Sequence, residues 1–400
     1  MTSISDKLAI EGGVPVRTET LPYGRHSVTD DDIESVVRVL RSDWLTTGPL
    51  VAEFEGAVAK ATGADHAVVV SNGTAALHSA TYALAIGPGD EVAVPAMTFA
   101  ASANCVVYQG GKPVFVDVDP DTLTMDPTSL RDRITPKTKA LITVDYAGQP
   151  CDYDEILKIA RQHNLRVIDD ACHAIGGSYK GRPVGTLTNL STFSFHPVKH
   201  VTSGEGGAIT TNDETLAQRM RIFRNHGITT DHWQRAKQQS WFYEMVDLGY
   251  NYRLSDINCA LGLSQLTRLQ QGISRRREIA NAYDSAFAST PEISPLSVMP
   301  DVYHAYHIYV VQVNLDLLDA NRDQVAAALR AEGIGINVHY VPVHLHPFYQ
   351  SQFGTGIGDC PAAEKAYERM ITLPIFPDMS EKDTSDVITA VQRVMNRYSK

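Results

Sequence analysis

Short runs of apolar and β-branched residues recur through the first half of the chain, and segments of mixed polarity separate them. The clearest run is His-Ala-Val-Val-Val at residues 66–70. Fully apolar strands that alternate with helical segments are typical of a mainly parallel sheet covered on both faces. We therefore predict an α/β region with strands at residues 66–70, 91–94, 113–118, 140–144, 165–169, 191–195 and 207–211.

Two helices are predicted before the first strand. Thr29 precedes three aspartates at residues 30–32, an order that favours a helix start. The reason is that a hydroxyl caps the first turn and acidic side chains stabilise its positive end. Residues 45–49 then interrupt the helix, and a second helix is predicted over residues 51–61.

A different, α+β pattern begins near residue 248. It predicts a long helical stretch to residue 277, a strand at 304–313, a helix from Asn321 to Gly333, a strand at 336–341 and two closing helices. We therefore predict a large α/β domain at residues 1–255 and a smaller C-terminal α+β domain at residues 256–400.

Composition places the chain among ordinary globular proteins, since 43% of its 400 residues are hydrophobic and 20% are charged. The formal net charge of -11 argues against nucleic acid or an anionic membrane as a main partner. No apolar run reaches the length of a membrane span, and the first residues lack the apolar core of a secretion signal, so we expect a cytoplasmic protein. The five cysteines form no C-x-x-C pair, and we expect them to be reduced.

Two of the predicted strands lead into polar segments with candidate chemistry. Residues Gly73, Thr74 and Ala75 open a helix directly after a strand, where unpaired amides and the helix dipole can bind an anion. Asp170, at the end of a buried strand, can pair with a protonated pyridine nitrogen. Taken singly, each segment also fits an ordinary helix start, and the acid pair Asp169 and Asp170 also fits a helix cap.

Lys199 is the candidate nucleophile. It stands between His196 and His200, ahead of a glycine-rich segment at residues 204–207 that permits close approach of a cofactor. A lysine in such a site can have a lowered pKa and act as an amine nucleophile, whereas most lysines are solvated surface charges. Phe99 can stack on a flat heterocycle, with Cys172 or Ala171 on the opposite face, although a lone phenylalanine is more often part of a core.

The combination of Asp170-x-x-His173, Lys199 and Gly204-Glu-Gly-Gly207 resembles the DegT/StrS group of pyridoxal-phosphate (PLP) dependent sugar aminotransferases. The resemblance covers nearly the whole chain. Residues 146–150, 195–200 and 339–344 are most similar to the PseC branch, whose members make UDP-4-amino-4,6-dideoxy-N-acetyl-β-L-altrosamine for pseudaminic acid.

This resemblance implies a fold-type-I transferase, whose large domain has a mainly parallel seven-stranded sheet and an N-terminal substrate segment. It implies that Lys199 holds pyridoxal 5'-phosphate as a Schiff base, Asp170 contacts the ring nitrogen and Phe99 stacks on the ring. His173 belongs to the catalytic signature. The remaining implied cofactor contacts are Gly73, Thr74, Ala75 and Ser194 at the phosphate, Gln149 near the 3'-hydroxyl, and Asn251 at the phosphate of a neighbouring subunit. The active site is therefore expected at a homodimer interface.

The resemblance also implies the substrates. L-glutamate would give its amino group to the 4-keto carbon of UDP-4-keto-6-deoxy-N-acetyl-altrosamine in a ping-pong reaction, with Lys199 moving the protons. The residues expected on the sugar-nucleotide side are Tyr23, Arg25, Thr46, Thr47, Gly48, His339 and Tyr340, with His344 and His346 as further candidates. Three of these histidines have a spacing compatible with a metal, but no carboxylate or thiol accompanies them locally, so packing or sugar binding is favoured.

Several alternatives remain open from the sequence. The sequence is also compatible with an aminotransferase that acts on another nucleotide keto-sugar, at C4 or at C3. A hypothesis from another functional class is a non-catalytic regulator that binds PLP. PLP-dependent sugar dehydration is disfavoured because a histidine replaces the lysine in those enzymes. The chain departs from the family pattern at Asp145, where relatives often have histidine, and at Cys172, where alanine is usual.

Overall fold

The computed structural model describes residues 7–230, 232–237 and 239–400. The strands of these residues are β1 (His66–Val70), β2 (Glu91–Pro95), β3 (Lys112–Val116), β4 (Thr138–Val144), β5 (Arg166–Asp170), β6 (Ser178–Tyr179), β7 (Arg182–Pro183), β8 (Leu190–Ser194), β9 (Gly207–Thr211), β10 (Ile293–Pro295), β11 (Val302–Tyr303), β12 (Tyr309–Val313) and β13 (Met370–Leu373). The helices are α1 (Asp30–Leu40), α2 (Pro49–Thr62), α3 (Gly73–Ala83), α4 (Ala101–Tyr108), α5 (Pro127–Arg133), α6 (Tyr153–Gln162), α7 (Glu214–Phe223), α8 (His232–Lys237), α9 (Asp256–Leu266), α10 (Leu269–Phe287), α11 (Arg322–Ala331), α12 (Pro347–Phe353), α13 (Pro361–Arg369) and α14 (Glu381–Tyr398).

The main sheet has seven strands in the order β1-β9-β8-β5-β4-β2-β3. Strands β3, β2, β4, β5 and β8 are parallel to their neighbours, and β9 runs antiparallel between β8 and β1. All seven predicted strands are present, with ends that differ by up to two residues from the prediction. The predicted mainly parallel α/β sheet is confirmed, and all its strands except β9 end at the same edge.

Helices cover both faces of the main sheet. Alternate residues of β1 face opposite sides, because Val68 and Val70 join one buried apolar cluster while Ala67 and Val69 join the other. The sheet is thus buried on both faces, which explains why its strands are continuous apolar runs.

The two predicted N-terminal helices are also confirmed. Thr29 precedes α1, and the carboxylate of Asp32 accepts a hydrogen bond from the Thr29 amide at 2.9 Å, which closes the first turn. Helix α2 begins at Pro49, two residues before the predicted start, because proline has the backbone angle of a first helical residue.

The C-terminal half contains a second, antiparallel sheet in the order β10-β12-β13, and an apolar cluster joins it to α10, α11 and α14. Three sequence predictions were wrong here. The helical stretch predicted from residue 248 begins at Asp256 and consists of two helices, α9 and α10. Three helices rather than two follow residue 345. The strand predicted at residues 336–341 is absent apart from one bridge between Asn337 and Thr372. The division into domains at residue 255 stays a prediction.

The segment 336–341 is not a strand because its tertiary contacts outweigh its β propensity. His339 and Tyr340 line a cavity at the edge of the main sheet instead of pairing along a strand. No helix among residues 7–230, 232–237 and 239–400 combines the length and the apolar character needed to cross a membrane.

A glycine contact joins helices α2 and α9 beneath the loop that follows β8. A β-carbon on Gly262 would lie 2.4 Å from Cζ of Phe54, so only glycine permits this approach. Phe54 is fully buried, and its ring centroid lies 5.1 Å from that of Phe195, the first residue after β8. The packing of these helices therefore supports the start of the loop that holds Lys199.

We expect Gly262→Ala to lower the free energy of unfolding by about 1–3 kcal/mol, because the added methyl group overpacks the Phe54 ring. Gly56→Ala in the neighbouring helix is the matched control, since a β-carbon there would have no atom within 4 Å. The control should raise the free energy of unfolding by about 1 kcal/mol through helix propensity alone. Urea denaturation measures both, and equal effects of the two substitutions would contradict the contact.

Candidate active site

A cavity of about 730 Å³ lies at the edge of the main sheet where the parallel strands end. Such an edge is the usual ligand site of an open α/β sheet, and the volume suits a ligand of cofactor or nucleotide size. The structure brings the following predicted site residues to its wall: Tyr23, Gly73, Thr74, Ala75, Phe99, Asp170, Cys172, His173, Ser194, His196, Lys199, His339 and Tyr340.

The turn from β1 into α3 forms one end of the cavity. Asn72 caps α3, and its Oδ1 accepts a hydrogen bond from the Ala75 amide at 2.8 Å. The Ala75 amide is therefore engaged within the turn, and the first two amides of the helix, at Gly73 and Thr74, are the ones placed for an anion. A β-carbon on Gly73 would lie 3.0 Å from Cβ of Ser194, so glycine allows the ends of β8 and α3 to adjoin.

Asp170 is the last residue of β5 and only 6% exposed. Ser102 Oγ donates a hydrogen bond to Asp170 Oδ2 at 2.6 Å, and Ser102 in turn contacts the hydroxyl of Thr98 at 2.7 Å. The amide of Cys172 donates to Asp170 Oδ1 at 3.3 Å. These donors fix the orientation of the carboxylate at the cavity wall.

Lys199 lies in the loop between β8 and β9. Its Nζ is 3.3 Å from Nε2 of His307, a residue from the segment before β12. Burial lowers the pKa of Lys199, and the guanidinium of Arg276 acts in the same direction, whereas Cys172 and Asp170 oppose it. A lowered pKa increases the fraction of neutral amine, the form that acts as nucleophile and base.

Buried histidines surround Lys199 without adding positive charge at neutral pH. His173 Nε2 lies 3.2 Å from the Tyr340 hydroxyl, and the His173 ring centroid lies 4.4 Å from that of His307. Burial holds the pKa of His173, His200 and His307 well below the usual histidine range. At neutral pH these rings are therefore uncharged.

Aromatic rings form the open side of the cavity. Phe99 is 59% exposed, and its ring centroid lies 5.9 Å from that of Tyr340. The rings of Tyr23 and His339, which line the same cavity, lie 5.3 Å apart. An exposed phenylalanine beside a polar cavity offers a face on which a flat heterocycle can stack.

Some predicted site residues lie elsewhere. Gln149 does not line the cavity, because its side chain donates to the Ser297 carbonyl at 3.0 Å and accepts from the Met299 amide at 2.7 Å. Asn251 is exposed, pairs through its backbone with Asn225, and does not line this cavity, although the next residue, Tyr252, does. Their roles at a cofactor stay predictions.

The N-terminal candidates also separate. Arg25 lines an adjoining cavity of about 480 Å³ that Lys199 also borders. Thr47 and Gly48 line a smaller pocket of about 170 Å³, and Thr46 pairs with Ser255. Their contact with a sugar nucleotide stays a prediction.

His339 and His344, two of the three C-terminal histidines, have separate hydrogen-bond partners. His344 Nε2 bonds to the Glu364 carboxylate at 2.9 Å, while His339 Nδ1 bonds to the Thr372 hydroxyl at 2.8 Å. In the part of the chain that the structure describes, no group of three or more His, Cys, Asp or Glu side chains is arranged to hold a metal ion.

The residues of the site that the sequence prediction missed include Ser102, His307 and Tyr252. Ser102 holds Asp170, His307 contacts Lys199, and Tyr252 lines the cavity. Ser102 is the second residue of α4, and Thr98 lies four residues earlier in the segment between β2 and that helix. Nothing in the local sequence links His307 to Lys199, which is 108 residues away.

Residues 26–392 match the DegT/DnrJ/EryC1/StrS aminotransferase family. Spore coat polysaccharide biosynthesis protein SpsC of Bacillus subtilis is 42% identical over 384 residues, which cover 96% of this chain and 99% of that protein.

Two solved structures illustrate the similarity in fold. The putative sugar aminotransferase Spr1654 from Streptococcus pneumoniae, in its PMP form, superposes with a TM-score of 0.89 at 34% identity, covering 94% of this chain and 99% of that one. Helicobacter pylori PseC, an aminotransferase of pseudaminic acid biosynthesis, superposes with a TM-score of 0.88 at 29% identity, covering 95% of this chain and all of that one. The predicted fold class is confirmed.

A pair of carboxyls lies behind Asp170, on the opposite face of the sheet. Asp145 and Asp169 are fully buried, and both oxygens of Asp169 and Oδ2 of Asp145 have no hydrogen-bond partner among the described residues. Tyr153 donates to Asp145 Oδ1 at 2.8 Å. Burial, reinforced by Asp145, raises the pKa of Asp169 well above its usual range, and burial raises the pKa of Asp145 to about 7. An unpartnered buried charge is costly, so Asp169 is held as the neutral acid.

We expect Asp169→Asn to reduce the loss of stability with rising pH. A carboxyl whose folded pKa exceeds its unfolded value stabilises the protein below the unfolded pKa, and that stability is lost as pH rises through the folded pKa. The wild type should therefore lose thermal stability as the pH rises above about 4, the ordinary pKa of an aspartate, and the variant should lose less, by up to about 1.4 kcal/mol per pH unit. Thermal unfolding of the cofactor-free protein measures this.

The control for this comparison is Glu53→Gln, which changes an exposed carboxyl and should leave the pH dependence of unfolding as in the wild type. Parallel melting-temperature curves for wild type and Asp169→Asn would show that Asp169 is ionised in the folded protein.

Proposed function

This chain belongs to the DegT/DnrJ/EryC1/StrS aminotransferase family of PLP-dependent sugar aminotransferases, and we propose that it aminates UDP-4-keto-6-deoxy-N-acetyl-altrosamine with L-glutamate as donor. The main support for this proposal is that Lys199, Asp170 and the first residues of α3 line one cavity. An amine, a carboxylate and an anion-binding turn are the three groups needed to hold the amine-accepting carbon, ring nitrogen and phosphate of the cofactor.

The residues of the cavity fit the cofactor. Gly73 and Thr74 would hold the phosphate through their amides, and Ser194 would add its hydroxyl, because glycine at 73 keeps these groups together. Asp170 would contact the ring nitrogen with the carboxylate that Ser102 orients. The bound cofactor supplies an electron sink for the pair of electrons left when a carbon–hydrogen bond breaks.

Proton transfer is assigned to Lys199. Its neutral amine takes a proton from the amine-bearing carbon of glutamate, and it later returns a proton to the carbon of the sugar that receives the amine. The lowered pKa of Lys199 supports this role, because the amine must be unprotonated to act as a base. His173, bonded to Tyr340, borders the same space and is proposed to position the reacting groups.

The sugar is proposed to lie against Tyr23, His339 and Tyr340, which share the cavity with Lys199. Arg25 is exposed in the adjoining cavity and is proposed to meet the diphosphate, since a guanidinium pairs well with phosphate oxygens. Thr46, Thr47 and Gly48 are proposed to contact the sugar nucleotide, and Gln149 is proposed to lie near the 3'-hydroxyl side of the cofactor.

A homodimer is proposed to complete each site. The segment 241–250 exposes a run of large apolar side chains, and a patch of this kind marks a protein interface. Its members are Trp241, Phe242, Tyr243, Met245, Val246, Leu248 and Tyr250, each more than two fifths exposed. Asn251 follows directly and would reach the phosphate site of the partner.

A second candidate substrate is another nucleotide keto-sugar, aminated at C4 or C3. The observation that favours it is the 42% identity to the spore coat polysaccharide protein SpsC, against 29% to PseC. Because small changes in pocket shape alter specificity by a few kcal/mol, a panel of keto-sugars decides between the two. A protein that binds PLP and turns over none of them would be a regulator.

We expect purified protein with PLP to show an absorption band that depends on Lys199. Glutamate should bleach the band, because the amino group moves to the cofactor, and UDP-4-keto-6-deoxy-N-acetyl-altrosamine should restore it. Lys199→Ala should lose the cycle, whereas Lys60→Ala, which changes an exposed lysine, should keep it. Absorption spectra recorded after each addition measure this.

Bleaching by glutamate without recovery on addition of this sugar would reject the substrate, and recovery with another keto-sugar would identify the alternative. A band that persists in Lys199→Ala would reject the role of Lys199.

We expect co-expressed Lys199→Ala and Asn251→Ala chains to regain activity that neither variant has alone. A mixed dimer contains one site with both natural residues, so random pairing should give roughly a quarter of wild-type activity. The readout is bleaching of the cofactor band by glutamate, with light scattering to confirm dimers. Dimers that form without any recovery would place Asn251 outside the partner's site.

A further inference from the structure

Lys199 meets a histidine that the sequence did not single out. Within the described part of the chain, His307 Nε2 is the only hydrogen-bond partner of Lys199 Nζ, at 3.3 Å. His307 also lines the cavity that contains Asp170. The segment before β12 therefore places the His307 imidazole beside the Lys199 amine, the group proposed to transfer protons.

The backbone of His307 is fixed independently of its ring. Its amide donates to the Ala147 carbonyl at 2.9 Å, and its carbonyl accepts from Arg276 Nη1 at 3.0 Å. Arg276 is only 2% exposed, so this anchor is buried. The ring has no second anchor, because Nδ1 is buried without a hydrogen-bond partner among the described residues. The imidazole is thus placed by the main chain and bonded only to Lys199.

The charges around the pair favour a neutral imidazole. The rings of His173 and His200 lie 4.4 Å and 5.6 Å from that of His307, and burial holds the pKa of all three well below the usual range. The guanidinium of Arg276 further opposes protonation of His307. Asp170 and Cys172 face Lys199 from the sheet edge and favour its charged form. A neutral imidazole can accept a hydrogen bond through an unprotonated nitrogen.

We propose that His307 is a further catalytic residue, whose Nε2 accepts a hydrogen bond from the Lys199 ammonium formed during proton transfer. The inference rests on the proposed function, in which Lys199 removes a proton from the donor. The carbon–hydrogen bond breaks, its electron pair stays with the substrate framework, and a nitrogen–hydrogen bond forms at Nζ. The ammonium then donates one hydrogen bond to Nε2 of His307, which stabilises the positive charge and orients the proton for its return to carbon.

A purely structural role is the competing explanation, because His307 also packs against His173. Three variants separate the two. His307→Phe keeps a planar ring without a nitrogen, and His307→Gln restores an acceptor oxygen. His304→Asn is the matched control, because it removes a buried imidazole from the same segment while asparagine can still accept from the Tyr306 amide, as His304 does at 2.8 Å.

The first measurement uses cofactor-free protein and does not depend on turnover. The rate at which Lys199 takes up PLP is followed by absorbance as a function of pH, since only the unprotonated amine reacts. Loss of the acceptor destabilises the ammonium, so the midpoint in His307→Phe should fall by about one pH unit. His307→Gln should fall by less, and His304→Asn should match the wild type. An unchanged or raised midpoint in His307→Phe would overturn the proposal.

The second measurement follows bleaching of the cofactor band by glutamate and by α-deuterated glutamate. His307→Phe should slow bleaching by about 10- to 100-fold and increase the isotope effect, because proton transfer becomes the slow step. His307→Gln should recover part of the rate. A slowed reaction with an unchanged isotope effect and unchanged uptake midpoint would assign His307 to packing alone and overturn the proposal.

The two proposals fail in different ways. Wild-type protein that takes up PLP through Lys199 but is not bleached by glutamate would reject glutamate as donor, and the uptake midpoints would still decide the role of His307. Normal bleaching in wild type together with normal midpoint and isotope effect in His307→Phe would reject His307 and leave the aminotransferase intact.

Discussion

Strand direction is the constraint on which the site depends. Strands β2, β5 and β8 run in the same direction, so the residues at their carboxyl ends lie at one edge although they are far apart along the chain. Phe99, Asp170 and Ser194 reach the cavity for this reason. The antiparallel return of β9 then carries the intervening loop, and with it Lys199, back over the same edge.

Burial sets the electrostatics around that edge. Burial keeps the histidines near Lys199 neutral and keeps Asp169, behind the sheet, a neutral acid, because the charged form of each group would lose its hydration. The lysine and Asp170 consequently face one another across a space in which few other charges compete. An acidic protein with a net charge of -11 thereby keeps a local environment that tolerates an anionic ligand.

Much of the fold was predictable because the signal is local. Continuous apolar runs identify strands buried on both faces, and each of the seven was found. The strand prediction for residues 336–341 was wrong for the same reason. The β-branched residues of this segment match a strand pattern, but its tertiary contacts place His339 and Tyr340 at the cavity wall. Local signals placed Lys199 and Asp170 at the site, but the contact of His307 with Lys199 arises only when the C-terminal half packs against the sheet.

The capped turn at Asn72 lowers the entropic cost of binding the cofactor phosphate. Because the cap is made by the chain itself, the turn holds its shape before any phosphate arrives, and little conformational freedom is left to lose on binding. Binding energy from the phosphate contacts is then available to hold the ligand, because little of it is consumed in ordering the turn.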